Sequence, residues 1–203
     1  MLDLYAAPTT NGLRVKIILE ECGLEYTLHH VDMSKKEHKT QEFLKLNPLG
    51  QIPVLVVQDL EGKELIICQS MAIMFYVCEE ARKFIPEDPR KRAAFWEPAM
   101  HAATELGPGY GTIPFIVRWK KEDKLAKEMF IKRIRMHMLH CDEILAKQQY
   151  FAGNEVTLAD FSAFGIIFRA KLTYPEMIEG FRNLNRWYEE ILIRPAVQRG
   201  LKF

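Results

Sequence analysis

The residues best suited to chemistry stand in one short stretch, Ala7-Pro8-Thr9-Thr10-Asn11-Gly12, where an apolar run ends and a helical pattern begins. Two hydroxyls and a primary amide meet there at a helix N-terminus, with no cysteine among them. A hydrogen bond from such a group to a charged acceptor contributes about 1.5–3 kcal/mol. The unpaired N–H groups of the helix start add roughly 0.3–1 kcal/mol for an anion. Threonines at such positions also serve as plain helix caps, and the stretch by itself fits either role. Gln69-Ser70 opens another helical pattern after a β-type run, and a hydroxyl beside free N–H groups suits a carboxylate. Ser70 could equally act as an N-cap there.

His137 and Cys141 lie four residues apart with His140 adjacent, which are metal-ligand residue types. Cys141 falls on an apolar helical stripe, however, and a third and fourth ligand are missing. No metal site is expected.

The elements that must hold these groups follow from hydrophobic period. Residues 2–6, 26–31, 53–57 and 65–67 read as strands, the last two joined by a turn over 59–62. Val15, Ile18, Leu19 and Cys22 share one helical face, and Gly23 is placed to end that helix. Residues 40–46 and 69–82 read as two further helices. The order requires a parallel pair joined by a crossover and an antiparallel hairpin at one edge, a mixed sheet with helices packed on it.

Pro86 and Pro89 mark a connector over 83–89, beyond which the pattern is helical. Phe130, Ile134, Met138, Cys141 and Leu145 form one stripe; Phe181, Leu184, Tyr188, Ile191 and Leu192 form another. Pro98, Pro108 and Pro114 are expected to bend or break the helical region between them. Thr157 and Asp160 have capping-box spacing, flanked by Val156 and Phe161 as a hydrophobic staple, a structural device. The class is therefore α/β plus all-α, with domains expected at 1–82 and 90–203.

The 203 residues carry a net charge of +1, which supports no nucleic-acid or acidic-membrane partner. The basic group Arg118, Lys120 and Lys121, followed by Glu122 and Asp123, reads as a solvated helix or loop end. No apolar run approaches the roughly 20 residues of a membrane span, and no signal-peptide pattern opens the chain. Cys22, Cys68, Cys78 and Cys141 lack CxxC spacing, which suggests reduced thiols in a cytoplasmic setting.

Four segments in this order, NPLGQIPVL (47–55), CQSMAIMFYV (68–77), VTLADFSAFG (156–165) and RPAVQRG (194–200), resemble the cytosolic glutathione transferase superfamily. That resemblance implies a thioredoxin-like βαβαββα domain followed by a helical bundle, acting as a homodimer with apolar contacts at the domain boundary. A thioredoxin would carry CxxC at the first strand-to-helix turn, where this chain has Thr-Thr-Asn-Gly, so the site would act on the thiol of bound glutathione. Lowering a thiol pKa from about 8.5 by two units takes roughly 2.7 kcal/mol, within reach of the donors above.

The Ala-Pro-Thr-x-Asn-Gly spacing resembles the bacterial Nu class, in which the positions of Thr9 and Asn11 face the sulfur. Asn11 ranks first, then Thr9 and Thr10. The resemblance further implies a cis Ile52-Pro53 bond pairing with the cysteinyl backbone, and Gln69 and Ser70 holding the γ-glutamyl end. His38 and Gln51 would face the glycyl end. Tyr110 and Phe115, in the Gly- and Pro-rich run 106–115, would line a pocket for the second substrate between the domains. The implied activities are conjugation of electrophiles, as in detoxification, or reduction of disulfides. A non-catalytic scaffold, or a glutathione-dependent isomerase or dehalogenase, are the alternatives.

Overall fold

The computed structural model of the chain describes residues 1–120 and 124–203, and for residues 114–120 the backbone alone. The side chains of Phe115, Arg118 and Lys120, and residues Lys121, Glu122 and Asp123, lie outside the described residues.

The first unit runs β1 (Leu2–Ala6), α1 (Thr10–Cys22), β2 (Thr27–His30), α2 (Gln41–Leu46), β3 (Val54–Gln58), β4 (Glu64–Cys68) and α3 (Ser70–Ala81). The sheet order is β2-β1-β3-β4. β1 and β2 are parallel, with Leu4 opposite Leu28. β1 and β3 are antiparallel, with Leu4 opposite Leu55, and β3 and β4 close the hairpin with Leu55 opposite Ile67. The turn between them is closed by the Gly62 N–H on the Asp59 carbonyl at 3.2 Å.

β3 is central and covered on both faces, so Val54, Leu55 and Val56 are all buried. Val54 and Val56 join Val31 and Phe43 of α2 in one core cluster. Burying each such side chain contributes about 1.5–3 kcal/mol. α1 packs against α3, and Gly23 (φ 74°) ends it as expected. Its burial exceeds one amphipathic face: Gly12 through Leu19 are all buried, Arg14 and Lys16 included.

The second unit contains α4 (Pro89–His101), α5 (Gly107–Lys120), α6 (Lys124–Leu145), α7 (Leu158–Thr173) and α8 (Arg182–Leu192). Of the bend or break expected at the prolines, the structure shows no break but an irregular turn. Pro98 lies inside α4, and a π-helical turn over Ala102–Leu106 leads directly into α5. The Gly107 N–H reaches back five residues to the Ala102 carbonyl, just ahead of Pro108. The wider turn absorbs the bond and the space that a proline ring denies to a regular helix. Ile134, Met138, Cys141 and Leu145 are buried along α6; Leu184, Tyr188 and Ile191 are buried along α8.

Asp160 at the start of α7 is fully buried and accepts four hydrogen bonds. They come from the N–H of Phe151 (3.0 Å), the N–H and hydroxyl of Thr157 (2.8 and 3.0 Å) and Nε1 of Trp187 (2.8 Å). The capping box is thus also a tie between three segments.

The last helix, α9 (Pro195–Gly200), differs from the expected domain boundary. Residues Pro195–Phe203 belong to the first unit with Met1–Lys83, while Phe84–Arg194 form the second. α9 packs against α1, and there the part-buried Nζ of Lys16 donates to the carbonyls of Arg199 and Lys202 at 2.9 and 2.6 Å. Arg199 in turn pairs with Glu20 at 2.7 Å. Among the described residues no helix is long and apolar enough to cross a membrane.

Candidate glutathione site

A cavity of about 400 Å³ in the first unit is lined by Thr9, Asn11, Met33, His38, Asn47, Gly50, Gln51, Ile52, Pro53, Gln69 and Ser70. It collects side chains from the β1–α1 turn, the loop after β2, the loop before β3 and the start of α3. Thr10 does not line it; it opens α1 with a half-buried side chain.

The β1–α1 turn is built by sterics and capping together. A Cβ on Gly12 would collide with the Ala7 carbonyl oxygen, so the chain can reverse this tightly only with glycine there. Thr9 is the N-cap of α1, its Oγ1 accepting the Gly12 N–H at 3.2 Å. That bond uses a lone pair and leaves the hydroxyl proton to donate. Asn11 sits in the first turn with its side chain exposed. Capping and donation are therefore compatible at Thr9.

The opposite wall starts with the Ile52-Pro53 peptide bond, which is cis. The loop ahead of it is held by Asn47, a buried residue. Its Nδ2 donates to the Gln51 carbonyl at 2.7 Å and its Oδ1 accepts the Leu49 N–H at 3.1 Å. Asn47 was not among the expected site residues, although an asparagine opening Asn-Pro-Leu-Gly is a legible turn signal. Met33 and Gly50 also line the cavity without having been expected.

Gln69 caps α3 with φ 75° and ψ 116°, a backbone conformation that costs a non-glycine residue of order 1–3 kcal/mol. Its side chain makes no capping bond. Ser70 is the first residue of α3 rather than its N-cap, and it is buried. Its Oγ accepts from Nε and Nη2 of Arg14 at 3.1 and 2.6 Å. Burial pulls the Arg14 guanidinium down to about 10, which leaves it protonated at neutral pH. Nothing in the local sequence marks Arg14, which looks like one more charged residue on a helix. Burial lowers the pKa of His38, with Lys39 and Lys36 adding to the shift, and its buried Nδ1 has no hydrogen-bond partner among the described residues.

In the second unit Tyr110 is buried and its hydroxyl meets Thr173 Oγ1 at 3.0 Å. Thr173 donates its own proton to the Arg169 carbonyl at 2.8 Å, so Tyr110 is the donor of the pair. Its hydroxyl is thus held by Thr173, an exposed residue at the end of α7. His137 bonds His101 at 3.0 Å, and burial pushes the Cys141 thiol up to about 12. Among the described residues no group of three or more His, Cys, Asp or Glu is arranged to hold a metal ion. A larger hollow of about 580 Å³ is lined mainly by long basic side chains of α6, including Lys127, Lys132 and Arg135, and is open to solvent.

Known proteins fall in with this geometry. Residues 1–79 match the glutathione S-transferase N-terminal domain and residues 122–190 its C-terminal domain. Glutathione S-transferase 1 of Dianthus caryophyllus is 34% identical over 170 residues, covering 78% of this chain and 72% of the relative. The disulfide-bond oxidoreductase YfcG of Escherichia coli (strain K12) is 28% identical over 215 residues, covering 99% and 94%. A crystal structure of a glutathione transferase family member from Pseudomonas fluorescens pf-5, with two glutathione bound, superposes with a TM-score of 0.91 at 28% identity, covering 99% of this chain and 92% of that one. The chain belongs to the glutathione S-transferase family.

Proposed function

We propose that the chain binds glutathione in the first-unit cavity, holds its sulfur as thiolate, and uses that thiolate to reduce disulfides. The observation that carries this reading is the convergence of Thr9 and Asn11 with Ile52, Pro53, Gln69 and Ser70 on one cavity with no cysteine in its wall. Thr9 and Asn11 donate to the sulfur at the positive end of α1, which lowers the pKa of the bound thiol. Gln69 and Ser70 hold the γ-glutamyl end, while His38 and Gln51 face the glycyl end. The thiolate attacks one sulfur of the substrate disulfide, forms a mixed disulfide and releases the other sulfur as a thiol. A second glutathione then attacks the mixed disulfide, releasing the substrate's remaining thiol and oxidised glutathione. Similarity to a disulfide-bond oxidoreductase, and to a family member with two glutathione bound, supports this order of events.

Attack on an electrophilic carbon is the second reading, supported by the relative named a glutathione S-transferase. Paired assays with hydroxyethyl disulfide and a chloronitrobenzene separate the two, and turnover of the chloronitrobenzene alone rejects disulfide reduction. Failure to bind glutathione in calorimetry rejects both and leaves a scaffold.

The proposed assembly is a homodimer. Trp96 and Met100 of α4, with Met129, Met136 and Leu139 of α6, are exposed apolar side chains suited to such an interface. A monomeric mass in solution would reject it. The free cysteines Cys22, Cys68, Cys78 and Cys141 are in keeping with a reducing, cytoplasmic setting.

A further inference from the structure

α1 and α3 both begin at the cavity, with Thr9 and Asn11 at the start of one and Gln69 and Ser70 at the start of the other. Towards their far ends they carry two thiols that the proposed chemistry does not use. Cys22 is the last residue of α1 and Cys78 lies near the end of α3, and the two thiols hydrogen-bond to each other where the helices pack. Lys83 ties both ends together. Its backbone N–H donates to the Cys78 carbonyl at 3.0 Å and its Nζ to the Cys22 carbonyl at 2.9 Å. Sulfurs already in contact need only a side-chain movement to reach an S–S bond length of about 2.0 Å. The other two thiols lie elsewhere: Cys68 reaches the Leu46 carbonyl at 3.6 Å, and Cys141 is buried on α6.

The environments of the two thiols set an order of reaction. Cys22 is 5% exposed and Cys78 1%. Gly23 follows Cys22 in a left-handed conformation, with open space where a side chain would stand. The hydrogen bond from Cys78, with the positive field of Lys83, holds the Cys22 thiol below its usual range, while burial and Glu21 oppose the shift. The same hydrogen bond and burial push the Cys78 thiol up. Cys22 is thus the thiol that ionises more readily and that a water-sized oxidant can reach.

We propose that Cys22 and Cys78 form an oxidation site, closed by a small peroxide into a reversible disulfide between α1 and α3. The Cys22 thiolate attacks one oxygen of hydrogen peroxide, the O–O bond breaks and hydroxide leaves, giving the Cys22 sulfenic acid. The Cys78 sulfur then attacks the Cys22 sulfur, and the departing hydroxyl takes up the Cys78 proton as water. In sum two thiols are oxidised and one peroxide is reduced to two waters. A dithiol returns the pair to free thiols by exchange. The bond clamps the two helices that carry the cavity and restricts the unfolded chain between them. Neither thiol lines the cavity, so this site stands apart from the glutathione reading.

The test uses the whole chain, reduced with dithiothreitol, freed of it, and treated with hydrogen peroxide in native buffer before remaining thiols are alkylated. Peptide mapping should find Cys22 joined to Cys78, with Cys68 and Cys141 alkylated, and dithiothreitol should restore every thiol. In Cys78→Ser, Cys22 should stop at the sulfenic acid and be labelled by dimedone. In Cys22→Ser, oxidation of Cys78 should slow by about tenfold or more, since its own thiol ionises poorly. Oxidised wild type should melt about 5 °C or more above the reduced protein, and peroxide should give no such rise in Cys22→Ser.

Full alkylation of Cys22 and Cys78 after peroxide overturns the site. So does a bond from either of them to Cys68, to Cys141 or to a second chain. Oxidation of Cys78 in Cys22→Ser as fast as in wild type overturns Cys22 as the attacking thiol. An oxidised protein that melts no higher than the reduced one overturns the clamp. If a serine variant fails to fold, the map of the wild-type protein decides by itself, because it needs no substitution.

Discussion

Thr9 accepts the Gly12 N–H through Oγ1 at 3.2 Å while lining the same cavity as Asn11, so the cap of α1 and the candidate sulfur site share one hydroxyl. The two roles draw on different parts of that group. The cap takes a lone pair, and in the proposed function the sulfur takes the proton. Substitutions at the two residues should therefore separate.

Asn11→Ala should raise the pKa of bound glutathione by about one unit, near 1.4 kcal/mol, with little change in melting temperature. Thr9→Ala should raise the thiol pKa and also cost about 0.5–2 kcal/mol of stability through the lost cap. Titration of thiolate absorbance, paired with thermal melts, reads both. An unchanged thiol pKa in Asn11→Ala moves the sulfur contact to the threonines.

Gly12→Ala should destabilise the first unit by about 1–3 kcal/mol, because its new methyl group meets the Ala7 carbonyl oxygen, part of a backbone that cannot swing aside. Glutathione affinity should fall with it, since the turn displaces Thr9 and Asn11. Chemical denaturation and calorimetry on the same variant test the pair of effects.

His101 should make stability depend on pH. Burial lowers its pKa, the positive fields of His137 and His140 add to the shift, and Glu105 and Glu97 oppose it. A folded pKa below the unfolded one means the unfolded chain binds more protons as the pH falls through the unfolded value of about 6.5. Stability is then full above that pH and declines below it, until the folded pKa is passed. His101→Gln should flatten the fall in melting temperature between neutral and mildly acidic buffer. A variant that falls as steeply as wild type would place the effect elsewhere.

Asp160→Ala should be the costliest of these changes, at about 3–5 kcal/mol, because it strands the indole N–H of Trp187 and the N–H groups of Phe151 and Thr157 in the core. Asp160→Asn should recover only part of that loss, since its amide NH2 meets donors. Denaturant midpoints order the three proteins. A near-neutral alanine would mean that these donors find other partners.

The local signals of this chain were largely readable along its length. The apolar run of 53–57, the one-face pattern of Val15, Ile18, Leu19 and Cys22, and the capping-box spacing of Thr157 and Asp160 each depend on neighbours a few residues away. Pro98 and Pro108 signalled a bend or break, but a proline reports a missing N–H and not how the helix reroutes its bonds. Here a π-helical turn takes up the difference. Asn47 could have been found from its turn context, whereas Arg14 could not, since its partner Ser70 is 56 positions away.

By itself the sequence determined which residues have the chemistry and which secondary elements hold them, because donor type, hydrophobic period and turn propensity are properties of short segments. Tertiary structure alone decided that Thr9 and Asn11, and not Thr10, share a cavity with Gln69 and Ser70. It also decided that Arg14 backs the serine and that residues 195–203 join the first unit, with α9 against α1. Those outcomes depend on which side chains burial brings together from distant positions, and no local pattern records that.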